Sequence, residues 1–118
     1  MWWKISNEKQ YLQLRILNQP KIFIWLPPSL NQNDREKLNQ IISSIHREYY
    51  PSNKIIISLV EVNRDPMLQQ LLSRINPLEG GPFVTGYLPN GATYFKSHEL
   101  SVKILENLIQ ELVMISHN

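Results

Sequence analysis

The stretch Lys21-Ile22-Phe23-Ile24-Trp25-Leu26 lies between Pro20 and Pro27 and indicates the fold more clearly than any other part of the sequence. After Lys21 every residue is apolar, and no polar residue alternates with the apolar ones. A strand with one face in water alternates, whereas a strand covered on both faces is apolar throughout. The stretch therefore predicts a central strand in a parallel sheet.

The sequence before this strand predicts another strand and a helix. Residues 2–5 favour β-structure, and Ser6-Asn7 offers a helix cap ahead of residues 8–17. Within residues 8–17, however, Leu12, Leu14 and Ile16 alternate with polar residues, which is also compatible with a strand. Helix and strand both remain open for this segment, which ends at Pro20 in either case.

The sequence after the central strand predicts two helices separated by a second buried strand. The first helix is expected from about residue 33 to residue 50, because apolar residues recur there at spacings of three and four. Residues 54–62 are rich in β-branched residues and predict the strand. Asp65 before Pro66 is typical of a capped helix start. The inner face of that third helix is expected to contain Met67, Leu68, Leu71, Leu72 and Ile75.

The C-terminal third predicts a hairpin followed by a helix. Residues 83–88 and 92–95 favour strands, and Asn90-Gly91 between them is a strong hairpin signal. Ser97 is expected to cap the last helix, whose inner face would contain Leu100, Ile104, Leu105, Leu108, Ile109 and Leu112. The element order is thus β-α-β-α-β-α-β-β-α, in a single α/β domain spanning residues 1–118. Right-handed crossovers place helices on both faces of its central mixed sheet.

This element order and three local motifs resemble the thioredoxin superfamily over essentially the whole chain. Residues 20–25 resemble the strand that leads to the superfamily's active-site loop. Residues 60–68, with their Asp65-Pro66 step, resemble the segment in which a strand ends and a helix begins. Gly81-Pro82-Phe83, followed by Asn90-Gly91, resembles the cis-proline strand and its hairpin. The resemblance implies a thioredoxin-like fold and a cis peptide bond between Gly81 and Pro82.

The sequence departs from the superfamily in one decisive respect, because it contains no cysteine. The resemblance places the Cys-x-x-Cys motif near Pro28-Ser29-Leu30-Asn31, where both cysteines are missing. Thiol–disulfide exchange needs a thiolate, so a thiol–disulfide oxidoreductase is excluded. Cysteine-free members of the superfamily include the circadian clock protein KaiB, the clock-input domain of its partner kinase, and chaperones of hydrogenase precursors. These proteins act by binding other proteins, and the resemblance leaves the branch open.

A scaffold of this kind without its redox pair favours binding of a partner protein. The expected contacts lie in the former redox loop and beside the cis-proline: Pro27, Pro28, Ser29, Leu30, Gly81 and Pro82. Trp2 and Trp3 are further candidates, since neighbouring residues of a strand point to opposite faces and exposed tryptophan is common in binding hot spots. The resulting hypothesis is a non-catalytic adaptor, assembly factor or chaperone, or regulatory protein. A cysteine-free transferase of small molecules and a structural subunit of a larger complex remain alternatives.

Other chemistry has weaker support. His46, His98 and His117 share no helical face, and no carboxylate pair completes a metal site with them. Ser29 has no base nearby in the sequence, and Gly80-Gly81 lacks the Lys-Ser/Thr ending of a phosphate-binding loop. No catalytic residue, metal or cofactor is therefore assigned.

Charge and hydropathy limit the partners. The 12 basic and 10 acidic residues give a formal charge of +2 and are dispersed along the chain, so nucleic acid is not an expected partner. No run approaches the ~20 apolar residues that span a bilayer, and the N-terminus lacks the apolar core of a secretion signal. The expected location is the cytoplasm, without membrane contact. Oligomeric state is left open.

Overall fold

The computed structural model describes residues 2–26, 31–49, 55–62, 65–75, 83–98 and 101–116. In chain order, the elements are β1 (Trp2–Ile5), α1 (Glu8–Arg15), β2 (Lys21–Leu26), α2 (Gln32–Tyr49), β3 (Ile56–Glu61), α3 (Pro66–Ile75), β4 (Phe83–Tyr87), β5 (Thr93–Ser97) and α4 (Val102–Ser116). This order confirms the predicted succession of strands and helices. It also shows that the ambiguous segment before Pro20 is helical.

The strands form one five-stranded mixed sheet in the order β1-β3-β2-β4-β5. β3 is parallel to both β1 and β2, whereas β4 is antiparallel to β2 and to β5. All six residues of β2 are buried, in agreement with the continuous apolar pattern. The predicted central strand and the predicted α/β class are therefore confirmed.

The sheet separates two apolar clusters. On one face α2 and α4 cover Ile22, Ile24 and Val84, and on the other α1 and α3 cover Phe23 and Trp25. Alternate residues of β2 thus enter opposite clusters, as the pleat of a strand requires. The hairpin forms at Asn90-Gly91, where the positive φ of 91° at Gly91 is favourable only without a β-carbon.

Two predictions about the helices are wrong. Ser97 does not cap α4, because its pairing with Val84 makes it the last residue of β5. Ser101 caps the helix instead, and its Oγ accepts a hydrogen bond from the Ile104 amide at 3.1 Å. Met67 is not on the inner face of α3, since it is 47% exposed in the first turn, beside rather than within the stripe that Leu68 leads.

Candidate functional site

The sheet brings the residues that flank the predicted binding loops to the same end of two neighbouring strands. β2 ends at Leu26 and β4 begins at Phe83, and Trp25 pairs with Phe83 in the antiparallel register. The segments after residue 26 and before residue 83 are therefore attached at the same end of the sheet. Pro27, Pro28, Ser29, Leu30, Gly81 and Pro82 lie outside the described residues, as does the predicted cis peptide bond.

The two N-terminal tryptophans belong to a different part of the sheet. Trp2 pairs with Ile57 and Trp3 with Ser58 on the outer strand β1. β3 lies between β1 and β2, so about 10 Å separate the two strands at the usual inter-strand spacing. Ile57 also pairs with Ile22, near the start of β2 rather than its end. The structure therefore does not bring Trp2 and Trp3 together with the flanks of the two loops, and the direction of their side chains stays a prediction.

The described residues at the end of β2 form an apolar base. Leu26 is 6% exposed, and Val62 is fully buried with its amide donating to the Leu26 carbonyl at 3.1 Å. At the preceding residue of β2, the Trp25 indole N–H donates to the Thr85 Oγ1 at 3.0 Å. The polar groups of this pair are thus used in holding β2 to β4.

Asp65 is the described carboxylate that follows β3 at this end of the sheet, and its oxygens are engaged. Oδ1 accepts hydrogen bonds from the amides of Met67 at 2.9 Å and Leu68 at 3.4 Å. Oδ2 accepts from the Glu8 amide at 3.2 Å. Both carboxylate oxygens are thus occupied by backbone amides. Asp65 therefore acts as a structural cap rather than as a general base.

The histidines do not assemble a metal centre in the described part of the chain. His46 belongs to α2, and His98 is exposed directly after β5. His117 lies outside the described residues. Among the described residues, no group of three or more His, Asp or Glu side chains is arranged to hold a metal ion.

A polar and aromatic cluster at the start of β2 is absent from the sequence-based predictions. The Arg15 guanidinium carbon lies 3.9 Å from the centre of the Tyr87 ring, and Nη1 donates to the Gly91 carbonyl at 3.3 Å. The Tyr11 hydroxyl interacts with Tyr87 and Arg15, and the Tyr11 ring packs 5.5 Å from the Phe23 ring. Arg15 thus fastens the end of α1 to the hairpin after β4. These contacts join residues up to 76 positions apart, so no local motif could have indicated them.

Lys21 is fully buried beside this cluster. Its Nζ donates to the Gln19 carbonyl at 2.9 Å. Burial lowers the pKa of Lys21 below its ordinary value, and the neighbouring positive charge of Arg15 lowers it further. Burial also raises the pKa of Tyr11, with a smaller contribution from Tyr87. Lys21 is the single polar residue in the otherwise apolar stretch of residues 21–26. This exception is the only sign in the sequence that a charged residue is buried beside the cluster.

A polar depression of about 340 Å³ lies on α2, lined by Asn39, Gln40, Ser43 and Ser44. These are amide and hydroxyl side chains on one helix. Its described lining contains no group that titrates near neutral pH, so it lacks a general base for acid–base catalysis. Among the described residues, no helix combines the length and the apolar character needed to cross a membrane.

Comparisons with solved structures identify the fold class. The chain is similar to thioredoxin from Malassezia sympodialis, with 12% identity, a TM-score of 0.73 and coverage of 96% of this chain and 91% of that one. It is similar to Plasmodium falciparum thioredoxin at 13% identity and a TM-score of 0.70, covering 92% and 96% of the two chains. Mitochondrial thioredoxin 3 from Saccharomyces cerevisiae gives 13% identity and a TM-score of 0.68, covering 92% and 93%. No family model matches the sequence, and no curated protein does.

The chain therefore has a thioredoxin-like fold. This confirms the resemblance stated from the sequence. Because the chain has no cysteine, the dithiol centre that gives thioredoxins their chemistry cannot form in it.

Proposed function

We propose that this protein is a non-catalytic binding module. It holds a partner protein at the end of the sheet where β2 ends and β4 begins. The observation that carries the proposal is the pairing of Trp25 with Phe83, which attaches the two candidate loops to the same end of the sheet. The described residues that precede one loop and follow the other, Leu26 and Phe83, thus belong to neighbouring strands. The candidate contacts are Pro27, Pro28, Ser29, Leu30, Gly81 and Pro82.

The chemistry of the described neighbours favours binding over catalysis. Leu26 and Val62 supply buried apolar surface at this end of the sheet. The Asp65 oxygens are occupied by three backbone amides. A general base must be free to accept a proton from a substrate. A binding surface needs only a rigid support and exposed groups that fit the partner.

The retained scaffold also supports this proposal. A fold can persist while the site that it carries is replaced, so the loss of both cysteines does not require the loss of the surface around them. An adaptor, an assembly factor with chaperone function and a regulatory protein all use such a surface. The partner's identity decides among these three roles.

The test is affinity capture from the native host with three forms of the protein. The Pro28→Asp, Leu30→Asp double variant places two charges in the candidate loop. The control is Leu12→Asp, Ile16→Asp, which makes matched apolar-to-acid changes on α1 and at the residue that follows it, where the two side chains are 50% and 81% exposed. Circular dichroism and thermal unfolding establish that each variant is folded before capture.

We expect a partner that the wild type and the α1 control retain and the loop variant loses. Titration of that purified partner should then give at least about a tenfold weaker dissociation constant for the loop variant, as loss of a hot-spot contact predicts. Equal recovery by all three forms would contradict the assignment of the loop. Recovery of no partner by any form would contradict the adaptor function itself.

A further inference from the structure

Two cations lie close together at the start of β2, at the opposite end of this strand from the candidate loops. Lys21 is the first residue of β2 and is fully buried, whereas Arg15 ends α1 and is half-buried. The charge of Arg15 is near enough to disfavour protonation of Lys21. Two like charges at a buried position destabilise the folded state unless an anion lies beside them.

Among the described residues, no carboxylate neutralises this pair. The Arg15 guanidinium carbon lies 3.9 Å from the centre of the Tyr87 ring, and Nη1 donates to the Gly91 carbonyl at 3.3 Å. The Lys21 Nζ donates to the Gln19 carbonyl. All of these partners are neutral groups. Within the described part of the chain, the pair therefore keeps two positive charges.

The Lys21 ammonium also has more donors than described acceptors. An ammonium group carries three N–H bonds. Among the described residues, the Gln19 carbonyl accepts from one of them, at 2.9 Å. A buried donor without an acceptor is unfavourable, and a buried charge is more so. An oxyanion beside Lys21 would supply the missing acceptors together with a negative charge.

Two phenol groups add neutral donors beside Arg15. The Tyr11 and Tyr87 side chains are 5% and 3% exposed, and the Tyr11 hydroxyl interacts with both Tyr87 and Arg15. Burial, with a smaller contribution from Tyr87, raises the pKa of Tyr11, so its hydroxyl keeps its proton. A phenol hydroxyl can donate to an anion as well as accept a hydrogen bond.

We propose that Arg15 and Lys21 form a binding site for a small tetrahedral oxyanion of the phosphate type. Two positive charges match a dianion, and arginine and lysine are the usual ligands of such groups. Because Lys21 and both tyrosines are buried, the site admits the free anion rather than a nucleotide or another large ester. It goes beyond the proposed partner binding, which uses the other end of β2.

The chain between α1 and β2 covers the Lys21 ammonium through the Gln19 carbonyl. Ile16 is 81% exposed, Leu17 is 41% exposed, and Asn18 and Gln19 are exposed as well. This segment buries little apolar surface that would hold it in place, and such segments open at a low cost in free energy. A shift of Gln19 exposes Nζ, and an anion oxygen then replaces its carbonyl as the acceptor.

The first experiment compares the effect of inorganic phosphate on thermal unfolding. Phosphate stabilises proteins in general by exclusion from their surface, so the signal is the difference between variants, against chloride at equal ionic strength. The wild type should gain more stability from phosphate than Lys21→Met does. Lys9→Met removes an exposed lysine of α1 and should keep the full gain.

The second experiment measures affinity by isothermal titration with inorganic phosphate. Binding to the wild type should be saturable, and Lys21→Met and Arg15→Gln should each weaken it at least about tenfold. Arg74→Gln is the matched control, because Arg74 lies in the last turn of α3 as Arg15 does in α1. Phenyl phosphate carries the same charge with a bulky ester group and should bind more weakly than the free anion.

The pH dependence of sulfate binding distinguishes a contact with Lys21 from a merely structural role. Sulfate keeps its double charge in alkaline solution, so a change in affinity reports on the protein. Burial and then Arg15 lower the pKa of Lys21 from 10.5, so affinity should already fall as the pH rises toward that value. Tyr11 and Tyr87 face Lys21 from α1 and β4, and Ile56 of β3 is apolar. Loss of the pH dependence in Lys21→Met therefore assigns it to the lysine.

Three results would overturn this proposal: a wild type without saturable phosphate binding, equal phosphate effects on the wild type and Lys21→Met, or a sulfate affinity that is constant up to pH 10.5. None of them bears on the capture of a partner protein at the end of β2 and the start of β4. Partner capture can therefore fail or succeed independently of anion binding.

Discussion

The carboxylate of Asp65 joins the N-terminus of its own helix to the backbone of Glu8, the first residue of α1. Oδ1 caps α3, and Oδ2 accepts from the Glu8 amide at 3.2 Å. The first amides of a helix have no partner within the helix, so one side chain here satisfies donors from two helices.

Asp65→Ala should therefore cost more than the loss of an ordinary cap. We expect a decrease of about 2 kcal/mol in the free energy of unfolding, against about 1 kcal/mol for a single cap. Asn7→Ala is the matched comparison, because Asn7 caps α1 alone by accepting from the Gln10 amide at 2.9 Å. Urea denaturation measures both variants, and equal costs would show that the bond to Glu8 contributes nothing.

Lys21 should make stability increase with pH below about pH 10. Its folded-state pKa is lowered by burial and by Arg15, from a usual value of 10.5. Between the lowered pKa and 10.5 the unfolded chain binds more protons than the folded chain, so stability rises with pH across that window. Below the window both states are protonated and the folded state bears the cost of a buried charge.

Lys21→Met should remove that rise and stabilise the protein at pH 7, by on the order of 1 kcal/mol. Methionine fills a similar space without a charge. Unfolding curves at intervals from pH 7 to pH 10 provide the measurement. An unchanged pH profile in the methionine variant would contradict the assignment to Lys21.

Tyr11 should have the opposite effect at higher pH. Burial, and to a lesser extent Tyr87, raises its folded-state pKa above the usual 10.0. Above pH 10 the unfolded chain loses this proton first, so the folded state loses stability as pH increases. Tyr11→Phe should flatten the decline while keeping the ring contact with Trp25, whose centroid lies 5.5 Å away. A decline of the same slope in the phenylalanine variant would assign it to other groups.

Gly86 occupies a position in β4 that is closed to larger side chains. A β-carbon there would lie 3.3 Å from the Cδ1 atoms of both Leu108 and Leu112, which are buried in α4. Gly86→Ala should reduce stability by about 1 kcal/mol, and Gly86→Val by several, because α4 must move away from the sheet. Thermal unfolding of the two variants tests this order. A stabilised alanine variant would show that the two leucines adapt without cost.

The parts of the fold that the sequence predicted are those with a local signal. Residues 21–26 form a buried strand because their apolar run has no other stable environment, and Asp65-Pro66 starts a helix because cap and proline are adjacent. Ser97 carried the same capping signal as Ser101, and only the pairing with Val84 distinguishes them. The contact between Arg15 and Tyr87 has no local signal, since it depends on how α1 and the hairpin pack.

The candidate site also has features that the sequence predicts and features that it does not. The flanks of its two loops follow from the strand order and the Trp25–Phe83 register. The separation of Trp2 and Trp3 from the flanks of those loops could not be predicted, because it depends on β3 lying between β1 and β2. Sequence reasoning grouped these residues by chemical type, whereas the sheet separates them.

The position of β2 in the middle of the sheet also sets the order in which backbone amides should exchange with solvent. Its partner strands β3 and β4 lie roughly 35 and 60 positions away in the sequence, so its hydrogen bonds open only when distant segments separate together. Amides of β2 should exchange near the limit set by global unfolding, and those of the outer strands through smaller, local openings. Deuterium uptake would thus rank the strands from the centre of the sheet outward.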